Sequence, residues 1–132
     1  MPIATQLNVK LENKVGSLGR LCRDLADNGI NLLALSAPDT QAKSGLIRLL
    51  VVNPELAQVK VAEVGYSFTV EEVLYVELKN RPGSIAKAME KLSRADINVR
   101  YTYATSFRKA QKSGAVFALS EEDLPKAHKL LG

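Results

Sequence analysis

Polar and apolar residues alternate near the start of the chain, where Asn8 and Lys10 separate Leu7, Val9 and Leu11. A period of two is that of a half-buried strand. The period then changes: Leu18, Leu21, Cys22 and Leu25 follow the i, i+3, i+4, i+7 spacing that lays one apolar stripe along a helix. Asn28-Gly29 supplies a left-handed stop. Strands are predicted over 30–36 and 46–52, a helix after Asn53-Pro54, where proline's missing N–H costs little, and a fourth strand over 66–70.

The same order then returns. Leu11-Glu12-Asn13-Lys14-Val15-Gly16-Ser17-Leu18 matches Leu78-Lys79-Asn80-Arg81-Pro82-Gly83-Ser84-Ile85 at an offset of 67, and Ile30-Asn31 matches Ile97-Asn98 at the same offset. Lys43-Ser44-Gly45 matches Lys112-Ser113-Gly114 at an offset of 69, which reads as a two-residue insertion in the second hairpin. The second helix stripe is Ile85, Ala88, Met89 and Leu92, and its stop is Ala95-Asp96, weaker than Asn-Gly. Strands are expected over 97–106 and 115–119. The chain is therefore two copies of one unit.

The element order is β-α-β-β-α-β, the split-βαβ, ferredoxin-like arrangement. It predicts an α+β fold of two tandem modules, residues 1–71 and 72–132, each an antiparallel sheet with both helices on one face. A unit of about 65 residues buries only about 60% of its unfolded surface, so each module is marginal alone. The second copy stops at Gly132, the counterpart of Gly65, and so lacks its last strand. The edge left bare predicts completion by a swapped strand or a subunit contact, or else a shortened chain.

Composition narrows the class. With 132 residues, 46% apolar residues and a net charge of +4 without a basic run, the chain reads as an ordinary soluble globular protein. A single cysteine, Cys22, on the helix stripe excludes an intrachain disulfide and suits a reducing compartment. The start Met1-Pro2-Ile3-Ala4-Thr5-Gln6 has no secretory pattern, and apolar runs such as Leu49-Leu50-Val51-Val52 are too short to span a membrane. A cytoplasmic location is expected. His128 has no second His or Cys for a metal site, and no phosphate loop or nucleophile–histidine pattern is present, so neither cofactor nor catalysis is expected. Glu71-Glu72 and Glu121-Glu122-Asp123 read as solvated element ends.

Asn80-Arg81-Pro82-Gly83-Ser84-Ile85, followed by Ala95-Asp96-Ile97-Asn98-Val99, resembles the signature of ACT domains. The first copy carries the same pattern with Val15 in place of proline, so nearly the whole chain, apart from the absent last strand, is similar to stand-alone tandem ACT proteins. The resemblance implies a non-catalytic regulatory module that senses an amino-acid-like ligand where domains meet. It also implies self-association into a dimer and a regulated enzyme in trans, with no role for nucleic acid or membrane. Carried across, the ligand residues are Asn13, Val15, Gly16, Ser17 and Leu18, then Asn80, Pro82, Gly83, Ser84 and Ile85, with Asn31 and Asn98 reaching across an interface. Free N–H groups at a helix start suit a carboxylate, and an asparagine amide both donates and accepts.

Each residue also has a structural reading. Gly16 and Gly83 serve a tight turn, Asn13 and Asn80 bond their own turn backbone, Ser17 and Ser84 cap helices, and Asn31 and Asn98 close the next turn. Tyr101 and Tyr103 read as packing residues that are also available to line a pocket. Two other functions stay open: a ligand-free oligomerisation module, and RNA binding. Gly16-Ser17-Leu18-Gly19-Arg20 resembles the Gly-x-x-Gly loop of KH domains. That loop joins two helices, whereas this one follows a strand, and the second copy has Ala86 in place of the second glycine.

Overall fold

A computed structural model describes residues 3–132; Met1 and Pro2, within the first predicted module, lie outside the described residues. The elements run β1 (Ile3–Glu12), α1 (Ser17–Asp27), β2 (Leu32–Ser36), β3 (Ser44–Val51), α2 (Pro54–Val64), β4 (Phe68–Lys79), α3 (Ser84–Arg94), β5 (Tyr101–Thr105), β6 (Lys112–Ala118) and α4 (Leu124–Leu131). They form two compact units, Thr5–Glu71 and Glu72–Gly132, the latter joined by Ile3 and Ala4. The fold is α+β, built on the repeated ferredoxin-like plan.

In the first unit β3 lies between β2 and β1, antiparallel to both. The Phe68–Glu71 end of β4 belongs to this unit, and the Lys10 N–H donates to the Ser67 carbonyl at 2.9 Å beside β1. Alternation along β1 puts Leu7, Val9 and Leu11 on one face, where they meet Ile47 and Leu49 of β3, Leu21 and Leu25 of α1, and Ala57 and Val61 of α2. Burying a leucine side chain contributes about 1.5–3 kcal/mol, so this single layer is what holds the helices to the sheet. On the other face the buried Gln6 amide donates to Asn8 at 2.8 Å and to Glu71 at 3.3 Å, and Asn8 donates to Glu71 at 3.2 Å. Glu71 is thus a half-buried acceptor and not a solvated element end.

The second unit repeats the plan. β6 lies between β4 and β5, antiparallel to both, and Leu74, Val76, Ala115 and Phe117 face Ala88 and Leu92 of α3 and Leu124 and Ala127 of α4. No strand follows α4 among the described residues. The unit also includes Ile3 and Ala4 of the same chain, with Ile3 packed against its core.

Four details depart from the sequence pattern. Strands expected separately over 66–70 and from Val73 run as one, β4, because no turn residue interrupts Phe68–Lys79. β2 begins at Leu32 and not at residue 30, and β5 at Tyr101 and not at residue 97, because the Ile30 and Ile97 N–H groups are already bonded to the Leu25 and Leu92 carbonyls, at 3.0 and 2.9 Å, in the helix stops. The hairpin insertion is one residue, not two: Leu7 faces Leu49 and Leu74 faces Phe117, an offset of 68 for β6. The repeated Lys-Ser-Gly is therefore one position out of step, with Gly45 opposite Leu11 but Ser113 opposite Leu78. Finally, the stop after α3 is built like that after α1. The Ile97 N–H bonds the Leu92 carbonyl at 2.9 Å, and Asp96 adopts φ 58° where its counterpart Gly29 has φ 72°.

An L-residue in the left-handed region is strained by roughly 1–2 kcal/mol, partly offset by the extra chain entropy of glycine. Asp96→Gly is expected to stabilise the protein by roughly 0.5–1 kcal/mol, and Gly29→Asp to destabilise it comparably, in urea unfolding.

Candidate functional site

The two strand-to-helix loops share one construction. β1 ends at Glu12, and the chain must reverse within four residues to enter α1. Gly16 makes the turn at φ 88°, and Gly83 does so at φ 91° before α3. Because these glycines hold the N-cap position without a side-chain cap, Ser17 and Ser84 are the first helical residues and cap nothing, contrary to the sequence expectation. The Arg20 N–H closes the first turn on the Gly16 carbonyl at 2.9 Å. The N–H groups of Leu18 and Gly19 precede it, where a helix offers no acceptor.

The asparagines do not bond their own turns either. Asn13 Nδ2 donates to the carbonyls of Thr40 at 2.9 Å and Ala42 at 3.2 Å, 27 and 29 residues away, in the loop joining β2 to β3. Asn80 Nδ2 donates to Phe107 and Ala110, both at 2.8 Å, while its Oδ1 accepts from Ser106 Oγ at 3.2 Å. Each amide nitrogen is engaged in bracing a hairpin. What it leaves for a ligand is Asn13 Oδ1.

Two hollows flank the first loop. The larger, about 780 Å³, is lined by Val15, Gly16, Ser17 and Arg20, by Lys10 on β1, and by Gly65–Ser67 after α2. The smaller, about 240 Å³, lies on the hairpin side beside Asn13, Ser17 and Leu18. In the second unit Asn80, Gly83, Ser84 and Ile85 share a hollow of about 390 Å³ with Ala104, Thr105 and Ser106. A further cleft of about 620 Å³ lies between Glu77, Phe107 and Leu131, outside the predicted residues. Pro82 is exposed and lines none of these hollows.

Asn31 and Asn98 are exposed at the far ends of α1 and α3. An 11-residue helix rising about 1.5 Å per residue sets them some 16 Å from their own loops. Within a unit, the structure does not bring them to the loop residues. Tyr101 and Tyr103 are half-buried opposite Ala118 and Val116, and the Arg100 guanidinium stands 5.6 Å from the Tyr101 ring.

The sequence reading missed a chain of polar groups on the wall of the large hollow. Tyr66 Oη donates to Asp24 Oδ2 at 2.8 Å, and Asp24 Oδ1 faces Arg20 Nε at 3.6 Å. Burial, and then the bond to the Asp24 carboxylate and its negative charge, push the Tyr66 hydroxyl from near 10 up to about 12, with Arg20 acting in the opposite direction. A usable signal existed: α3 carries Lys87 and Lys91 where α1 has Arg20 and Asp24, so this group is not part of the repeated plan.

A family model for an ACT domain pair matches residues 1–130. The chain belongs to the ACT domain pair family. ACT domains are regulatory ligand-binding modules, and the pair is not itself a catalytic one. Among solved structures, a Bacteroides thetaiotaomicron protein is 28% identical with a TM-score of 0.86, covering 98% of this chain and 86% of that one. The regulatory subunits of aspartate kinase from Thermus thermophilus and Thermus flavus share the fold. Their identities are 15% and 14%, their TM-scores 0.65 and 0.59, and each match covers 98% of this ACT pair and 95% or 94% of the subunit. No curated protein matches this sequence. Among the described residues, no helix of this ACT pair is long and apolar enough to cross a membrane, and no group of histidine, cysteine and acidic residues is placed to hold a metal.

Two measurements check this account. A raised tyrosine pKa stabilises the fold fully below pH 10, and that contribution is lost as pH rises toward 12. Wild type should therefore lose stability between these values, and Tyr66→Phe should show a flatter profile in pH-dependent unfolding. Asn80→Asp replaces two donors by a carboxylate facing two carbonyls. It is expected to destabilise by about 1–3 kcal/mol and to speed amide exchange in the 106–111 hairpin.

Proposed function

We propose that this ACT pair is a sensor of a small amino-acid-like molecule, bound at the strand-to-helix loops and reported to a partner protein. The supporting observation is the hollow of about 780 Å³ at the start of α1, within the roughly 300–1,000 Å³ range of small-ligand sites. It combines a helix mouth rich in N–H donors with residues of both charge signs, Lys14 and Glu12, which stand 3.0 Å apart. A zwitterion needs that pairing: donors and positive potential for its carboxylate, a carboxylate for its ammonium.

The loops are braced by asparagine and turned by glycine, so a ligand meets a site formed in advance and loses little affinity to ordering it. Binding at a loop tied to its hairpin stiffens both, and a partner that prefers the stiffened form reads the change. The reading includes self-association into a dimer, a cytoplasmic location, and a regulated enzyme acted on in trans.

Thermal-shift and calorimetric titration against the common amino acids tests the proposal. At least one should bind and raise Tm by several degrees, since a ligand at 100 times its Kd adds about 2.7 kcal/mol. Ser17→Phe, at the position that lines both hollows beside the first loop, should weaken binding there while the circular dichroism stays native. Absence of heat and of any shift for every amino acid would overturn the sensing function.

A further inference from the structure

We infer that the large hollow of the first unit selects an amino acid carrying a second acid group, and that Arg20 is the residue that reads this group. The inference rests on the sensing function proposed above and specifies the class of molecule sensed.

Charge comes first. The lining carries Lys10, Lys14 and Arg20 against Glu12, and Asp24 behind Arg20 brings the local balance to +1. A neutral zwitterion leaves that excess standing, whereas an acidic amino acid brings one ammonium and two carboxylates and offsets it. Positions agree with this division. The α-carboxylate suits the open N–H groups at the start of α1, and the ammonium suits Glu12. Arg20 lies within the same first turn, about 5.4 Å of helix rise, which is the scale separating the two acids of such a molecule.

Arg20 is also set for the task. Its Nε faces Asp24 Oδ1, while the other Asp24 oxygen is held by Tyr66, so both oxygens of that carboxylate are engaged. The Asp24 side chain is 19% exposed and that of Arg20 is 77% exposed: the anchor is inside and the guanidinium stands at the cleft. The two terminal nitrogens remain as a fork that a carboxylate accepts in bidentate fashion, a geometry lysine cannot offer.

The duplication supplies an independent argument. Features the fold needs, such as the bracing asparagine and the glycine turn, occur in both units. Arg20 and Asp24 are replaced by Lys87 and Lys91, although α3 has the same length and packs in the same way. The arginine group is therefore dispensable to the architecture and particular to one hollow.

Calorimetry with aspartate and glutamate against asparagine and glutamine decides the matter. An acid should bind wild type at least tenfold more tightly than its amide. Arg20→Gln should bring the two within about twofold by weakening the acid alone, Arg20→Lys should recover only part of the preference, and Lys87→Gln should change nothing. Equal binding of acid and amide by wild type, or tightest binding of a neutral or basic amino acid, would overturn the selection and leave sensing intact. No binding of any amino acid would overturn sensing, and the selection with it.

Discussion

One carboxamide per unit fixes the geometry on which everything else depends. Asn13 and Asn80 each leave the end of a strand and donate from a single nitrogen to two carbonyls of a hairpin nearly thirty residues further on. The two carbonyls would otherwise point at solvent or at each other, and no residue with one donor could satisfy both. Fixing the hairpin also fixes the direction in which the chain leaves the strand, and so where the next glycine must turn and where the helix opens. The helix mouth is a consequence of that bond, and the hollows on its two flanks follow from the mouth.

The fold was legible where the physics is local. The alternation of Leu7, Val9 and Leu11 and the stripe through Leu21 and Leu25 identified their elements because each side chain is buried by the face its own period dictates. What escaped was set by contacts distant in sequence or by backbone angles. Serine one residue before a helix and serine at its first position look alike in a sequence; the positive φ of Gly16 decides between them. A matched tripeptide suggested one register, and the ladders adopted another, because core packing of Phe117 opposite Leu74 outweighs the likeness of Lys-Ser-Gly. The loop residues were found by their repetition, while Tyr66, Asp24 and Arg20 were overlooked because they do not repeat.

That contrast separates two kinds of information in a duplicated chain. Agreement between copies marks what any such unit requires in order to fold, and here it marks turn, brace and stripe. Difference between copies marks what one unit does that the other does not. Arg20, Asp24 and Tyr66, ordered and mutually bonded, have no such match in the sister unit and stand outside that shared requirement.

The bond from Tyr66 to Asp24 has an optical consequence. The chain contains four tyrosines and no tryptophan, so tyrosine dominates a near-ultraviolet signal to which its three phenylalanines add only weakly. A phenol that donates to a carboxylate emits weakly and ionises late, which sets this ring apart from an exposed one. Any molecule that draws Arg20 away from Asp24 alters the charge beside that phenol and, with it, the light the protein absorbs and returns. The wall of the hollow thus carries a native chromophore whose signal depends on the charges of Asp24 and Arg20 beside it.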